Sequence, residues 1–351
     1  MIYILLFIFF YVVCLAVKDQ KESTQRTFLQ VACIVLTLFI GLRKFWPDQR
    51  VYEIAFEMAP MPWDFTWDIR PYGYGEKGYL FLASLVKVVY DEPVFYCLVM
   101  GAISMYLLYK NLNKYCIIPV IGLCAYIGRF LLNRDFTQMR SSLTILLIMF
   151  GTKYIYEKKP IKYFLLVFLA YQFHTMALIA VPMYFFYRFN LTNRKIIIGL
   201  ILAFILSQTL AGFISGSVDE YSTDLSYKTY TEGGYVDQAL GLRNPMIYFQ
   251  MAVLLLFTFG EDKLKHLSKY YYVFRSGYFY STLILIFFCN YTALSGRTST
   301  MFATYEMFIL PILAYSFSKG FRPVYYLGLG VVLLYFFYSK YMSAITMMAG
   351  G

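Results

Sequence analysis

Apolar residues in this chain come in long runs, without the two-residue alternation of a half-buried strand. The runs occupy about 2–17, 28–42, 79–90, 94–109, 115–131, 141–156, 163–187, 196–215, 244–260, 276–294, 300–316 and 324–342. A membrane-crossing helix needs ~20 mostly apolar residues to span ~30 Å of hydrocarbon. Repeated along the chain, such runs predict an all-α, polytopic integral membrane protein. It reads as a single transmembrane domain over 1–351, with no soluble domain and no internal repeat. The first run ends in Val17-Lys18 without a small-residue cleavage site, so it reads as a retained span. Two polar stretches, 43–78 and 216–243, are long enough to fold over the membrane surface as extracytoplasmic loops.

Lysine and arginine in short loops set orientation. The loops 18–27, 110–114, 157–162, 188–195, 261–275 and 318–323 are short and basic, which predicts them to be cytoplasmic. A parity conflict follows. Loops 157–162 and 188–195 fall on one side, yet one apolar run separates them. A hairpin turning near Phe173-His174-Thr175 restores parity. The run 79–90 is too short to cross and ends in Asp91-Glu92-Pro93, so it reads as a helix that dips in from outside and returns. The resulting prediction is about ten crossings, two partial insertions and both termini outside.

Composition supports the membrane reading. Hydrophobic residues make up 60% of the chain, and charged residues only 15%, against roughly 25% in soluble domains. A net charge of +11 would point a soluble protein toward nucleic acid. Here the basic residues sit between apolar runs, so membrane orientation accounts for them and no nucleic-acid partner is expected. The 34 Phe read as lipid-facing filler, and many of the 36 Tyr suit span ends. Cys14, Cys33, Cys97, Cys116, Cys124 and Cys289 all lie in apolar runs and read as small hydrophobes. No nucleotide-binding glycine loop, HExxH or CxxC motif is present, so no cofactor and no metal site is expected.

The candidate chemistry lies in charges that break the positive-inside trend. Arg43 closes the second span. Arg129, Arg134 and Arg140 crowd one outer junction. Arg243 begins a later span, and Arg297 ends another in Leu294-Ser295-Gly296-Arg297. Interfacial anchoring explains one or two such residues. Six of them fit a shared anionic ligand better, because guanidinium groups hold phosphate oxygens bidentately. His174 is one of two histidines and reads either as a core group or, at a hairpin apex, as a base or hydrogen-bond donor. Asp48 and Glu76 are rival bases, and Asp135 reads as the partner of Arg134. Glu306, inside an apolar run, reads as the counter-ion of a basic residue. Trp46, Trp63, Trp67, Tyr72 and Tyr74 suit either sugar stacking or interfacial anchoring.

Several of these pieces fall into a known order. Phe39-Ile40-Gly41-Leu42-Arg43, Asp48 and Tyr52, Gly75-Glu76-Lys77-Gly78-Tyr79, Gln138-Met139-Arg140, Phe173-His174-Thr175-Met176-Ala177-Leu178 and Leu294-Ser295-Gly296-Arg297 together resemble the EpsG group of Wzy-type polysaccharide polymerases. The likeness runs from about 28 to 316. It departs at Ser141, where the group often has Gln, and at Lys77, where it often has Pro. The resemblance implies a GT-C-like glycosyltransferase architecture in a bacterial cytoplasmic (inner) membrane, with the site on the periplasmic or outer face. It implies transfer of a glycan from polyprenyl (undecaprenyl) diphosphate to the terminal sugar hydroxyl of a lipid-linked repeat unit, with inversion. Such polymers include O-antigen lipopolysaccharide, and a chain-length regulator is a plausible partner. In that scheme Arg43, Arg140 and Arg297 hold the diphosphate, with Arg129 and Arg134 in support. His174 is the favoured base, and Tyr52, Trp46, Trp67 and Arg243 contact substrate. The acidic loop 216–243 covers the site. An O-antigen ligase shares the donor and the arginine logic. A flippase would be expected to show inverted repeats and midplane charges. A membrane acyltransferase leaves the arginines unexplained.

Overall fold

The computed structural model describes residues 2–70, 76–209 and 240–350. Its main helices are α1 (Ile2–Val17), α2 (Glu22–Gly41), α3 (Gln49–Glu57), α4 (Lys77–Val89), α5 (Pro93–Tyr115), α6 (Pro119–Tyr126), α7 (Met139–Phe150), α8 (Pro160–Tyr171), α9 (Ala180–Phe186), α10 (Asn193–Thr209), α11 (Pro245–Phe259), α12 (Tyr271–Phe287), α13 (Thr292–Ala303), α14 (Glu306–Leu313) and α15 (Arg322–Gly350). No strand occurs among the described residues. Pro93, Pro119, Pro160 and Pro245 each open a helix. Proline suits that position because the first helical N–H has no intrahelical acceptor. At α11 the Asn244 side chain also caps the Met246 N–H at 3.0 Å.

Three helices are long and apolar enough to cross a membrane: Glu22–Gly41, Pro93–Tyr115 and Lys319–Met348. Their outward faces are apolar. Val31, Ile34 and Leu38 on α2 and Leu327, Val331 and Tyr335 on α15 are all about half exposed or more. Soluble proteins rarely leave such contiguous apolar faces open to water, and lipid satisfies them. Further apolar helices of 10–17 residues include Tyr3–Val17, Pro160–Tyr171 and Pro245–Phe259. α4, with 13 residues, rises only ~20 Å and is too short to cross by itself.

The chain divides into two compact units, Met1–Leu178 with Glu306–Gly351, and Ile179–Tyr305. In the first, α2 packs along α5, α5 along α7, and α6 along α14. α2 and α5 approach closely because Gly41 has no side chain where Leu98 sits. α6 runs on through a π turn at Ile127–Leu131 and a last helical turn at Leu132–Arg134. In the second unit α12 is the hub, contacting α9, α10, α11 and α13.

The apolar run 163–187 is interrupted where the charge pattern called for a turn. α8 stops at Tyr171, and a tight 3-10 segment, Thr175–Ile179, follows. One boundary differs from expectation. The run 276–294 breaks at Phe288–Tyr291, so Arg297 lies inside α13 and does not close a span. At the break the Asn290 side chain donates to the Ser207 carbonyl at 3.3 Å. That contact is invisible along the chain. All six cysteines are free and buried.

Candidate active site

The site begins where α2 ends. The Arg43 side chain folds back so that Nη1 donates to the Ile40 carbonyl. It is 5% exposed, and its Nε and Nη2 are buried with no hydrogen-bond partner. Leaving buried donors unmade costs ~1–3 kcal/mol, more for a charged group, so an entering anion would gain what the fold has left open. The Gln49 amide braces this turn. Its nitrogen donates to the Arg43 carbonyl at 3.0 Å and to Glu53 Oε1 at 2.9 Å, and its oxygen accepts from the Trp46 N–H at 3.2 Å. Phe45 and Asp48 both adopt left-handed backbone, at φ 58° and 62°. That conformation is costly for a bulky residue such as Phe45, and it lets the chain double back from α2 into α3 with Asp48 exposed at the N-cap.

Arg140 stands in the first turn of α7 and meets Glu76 at the entrance to α4. Arg140 Nη1 donates to Glu76 Oε2 at 2.6 Å, and both side chains are close to nine-tenths buried. The guanidinium lies 5.6 Å from the Tyr79 ring centroid and 6.0 Å from that of Tyr52. Aromatic faces stabilise a cation electrostatically, so the arginine stays charged in a mostly apolar wall. Tyr52 is buried, hydrogen bonds with Arg140 and faces Asp48 and Arg43. Burial raises its phenol above the ordinary value, and Arg140 partly offsets this. Tyr96 fixes the base of the wall by donating to the Tyr79 carbonyl at 3.0 Å.

The turn after α8 docks on the same place. The Gly78 and Tyr79 N–H groups both donate to the Gln172 carbonyl, at 2.8 and 3.2 Å. A Cβ on Gly78 would fall 2.6 Å from Gln172 Cβ, so only glycine allows the approach. Phe173 packs on the cluster holding Tyr52, Tyr79 and Met139. His174 follows, part-buried, with Nδ1 accepting from the Met176 N–H at 3.1 Å. A neutral imidazole that accepts at Nδ1 carries its proton on Nε2.

A second layer of charge lies beneath. Arg129 grips Glu306 with two bonds, Nε to Oε2 at 2.6 Å and Nη2 to Oε1 at 3.2 Å, and its cation lies 4.4 Å from the Phe336 ring. Glu306 is fully buried. Arg134 is 2% exposed and lies 4.1 Å over the Phe130 ring. Asp135, next to it, accepts from Ser142 at 2.6 Å and from the Tyr126 hydroxyl at 2.7 Å. Burial pushes the Asp135 carboxyl up to about 6, opposed by those two bonds and by Arg134. Trp46 packs edge-on to Phe136, and its indole N–H donates to Thr137 at 3.0 Å.

Arg43, Asp48, Tyr52, Glu76, Arg140 and the His174 turn are thus brought together in one unit. Arg129, Arg134 and Trp46 form its buried support. Trp67 is 74% exposed, edge-on to Phe65. Arg297 on α13 and Arg243, just before α11, belong to the second unit and are exposed. Tyr72, Tyr74 and most of the loop 216–243 lie outside the described residues. Gln49 and Gln172 carry no sequence signal of their own. Tyr79 closes a quoted motif, whereas no local signal marks a backbone carbonyl such as that of Gln172. Among the described residues no group of three or more His, Cys, Asp or Glu could hold a metal ion.

Apolar outward faces, described residues that are all helix and loop, and buried guanidinium groups define the class: a helical membrane protein with a buried, arginine-bearing polar cluster. The EpsG family model matches residues 26–349, nearly the whole chain. The chain therefore belongs to the EpsG family, a Wzy-like polymerase family, and is a polysaccharide-polymerase type of membrane protein. No curated protein and no solved structure matches it.

Proposed function

We propose that this protein lengthens a polysaccharide by glycosyl transfer from a polyprenyl-diphosphate-linked glycan to the terminal hydroxyl of a second lipid-linked unit, with inversion. The observation that carries the reading is Arg43, buried with Nε and Nη2 unbonded, on the same Tyr52 as Arg140, which is bonded to Glu76. Glu76 occupies one arm of the Arg140 fork. A diphosphate oxygen is a stronger match for that fork. When it takes the guanidinium, Glu76 is released as a carboxylate able to accept the hydroxyl proton. The acceptor oxygen then bonds to the anomeric carbon as the bond from that carbon to the diphosphate oxygen breaks. The leaving diphosphate keeps the electron pair, and its growing charge falls on Arg43 and Arg140. Groups fixed in place before reaction stabilise such charge without reorganisation.

His174 is favoured here as an Nε2–H donor to the diphosphate, because Nδ1 is already an acceptor. This reverses the sequence-based preference, in which His174 was the base and Glu76 the rival. Asp48, exposed beside Tyr52, is suited to a sugar hydroxyl, and so is the open face of Trp67. Arg297, Arg243 and the loop 216–243 remain assigned to substrate on the sequence reading alone. Ten crossings, two partial insertions, a GT-C-like fold and an outward-facing site in the bacterial inner membrane complete the proposal, with lipid-linked glycan as donor and acceptor and a chain-length regulator as a further partner.

The test is reconstitution of the full chain in liposomes with purified lipid-linked repeat units. Longer glycans on the lipid carrier support polymerisation. Unchanged units overturn it, and transfer only to a different lipid acceptor would make the protein a ligase.

A further inference from the structure

A second feature lies away from the arginine site, where α5 ends. Lys110 and Lys114 lie in the last two turns of α5, and with Tyr106, Leu107, Asn113 and Phe150 they line a cavity of about 470 Å³. Lys153, just after α7, stands over the same Phe150 ring at 5.0 Å, while Lys114 lies 5.6 Å from it. Lys110 lies 5.2 Å from the Tyr106 ring. Two ammonium groups therefore line a cavity whose lining holds no carboxylate, and a third, that of Lys153, stands over its Phe150 wall. Glu157 is the acidic residue facing Lys114 and Lys153, and it is bonded to Lys159 at 2.7 Å.

α5 is long and apolar enough to cross the bilayer, so its last turns fall at the height of lipid headgroups. Ammonium groups gathered at that height attract anionic headgroups, at about 1 kcal/mol per lysine. Tyr106 is 58% exposed, and an amphipathic ring of this kind suits the interface. Basic pockets between helices at this depth bind anionic lipid headgroups. We infer that the Lys110–Lys114–Lys153 cavity is a binding site for the phosphate headgroup of an anionic phospholipid, with acyl chains lying along α5. The inference is independent of glycosyl transfer.

The test uses the full chain in lipid nanodiscs with phosphatidylglycerol or phosphatidylcholine, and counts retained lipids by native mass spectrometry. Wild type is expected to retain phosphatidylglycerol over phosphatidylcholine. Each lysine near an anionic surface changes affinity about fivefold, so Lys110→Gln/Lys114→Gln/Lys153→Gln should bind phosphatidylglycerol about a hundredfold more weakly. The equally neutralised Lys263→Gln/Lys265→Gln/Lys269→Gln should bind like wild type, and arginine at 110, 114 and 153 should restore binding. Equal retention of the two lipids by wild type overturns the inference. So does undiminished phosphatidylglycerol binding by the first triple variant, or displacement of the lipid by glycerol 3-phosphate at equal concentration.

Discussion

At the scale of residues, the proposed reaction gives the ion pair Arg140–Glu76 and the guanidinium of Arg43 different tasks. Arg43 contributes a fixed cation. Its side chain bonds back to the Ile40 carbonyl, and Gln49 holds its backbone carbonyl. Arg43→Ala and Arg140→Ala should each lower single-turnover transfer ~10²–10³-fold, the loss typical of one preorganised charge stabiliser. Glu76→Gln keeps the hydrogen-bonding shape and removes the carboxylate proposed as base. A fall of ~10²–10⁴-fold in the chemical step, with substrate binding retained, is expected. His174 makes the sharpest contrast. If it donates from Nε2, glutamine substitutes for it, and His174→Gln should stay within about tenfold of wild type while His174→Ala falls further. Equal, severe loss in both would return His174 to the role of base.

At the scale of elements, two contacts hold the site in place. The first is the seat of the α8 end on α4. Gly78→Ala inserts a Cβ into Gln172 and should push the His174 turn away from Glu76. Transfer should drop more than thermal stability does, measured on the same purified sample. The second is the Arg129–Glu306 pair that ties the end of α6 to α14. Breaking a buried pair from one side leaves an uncompensated charge and costs ~3–5 kcal/mol. Glu306→Gln and Arg129→Met should each lower the midpoint of thermal unfolding in detergent. The double variant Arg129→Met/Glu306→Leu should recover much of that loss, because no lone charge remains. A diphosphate-binding role for Arg129 predicts instead that the double variant is stable yet inactive, so activity of the same protein separates the two.

At the scale of the whole molecule, the charge pattern makes a claim about topology. Single cysteines introduced in 157–162 and 188–195, in a background lacking the six native thiols, should label from the same side of the membrane. Labelling from opposite sides would remove the hairpin and return the run 163–187 to a simple crossing. The outcome also decides whether the His174 turn sits at the outward apex of an insertion, as polymerisation of exported units requires.

The amount that was legible in the sequence follows from where each signal resides. Helical content, the apolar character of the three longest candidate spans and the prolines that open four helices are local properties. Apolar runs and missing N–H groups act over a few residues, so the chain alone determined them. The break at Gln172–Thr175 falls where the charge pattern predicts a turn, and the labelling experiment tests the parity behind that prediction. Pairing is not local. Arg129 finds Glu306 across 177 positions and Arg140 finds Glu76 across 64, and nothing in spacing distinguishes these partners from other carboxylates. The direction in which His174 presents its proton depends on one backbone N–H two residues away, and the turn that supplies it is fixed by docking on Gly78. The sequence thus determined the solvent, the helices and the residue types available for chemistry. Only the tertiary structure decided which arginine is neutralised within the fold and which is left with N–H groups to offer, because burial and pairing are set by packing across the bundle.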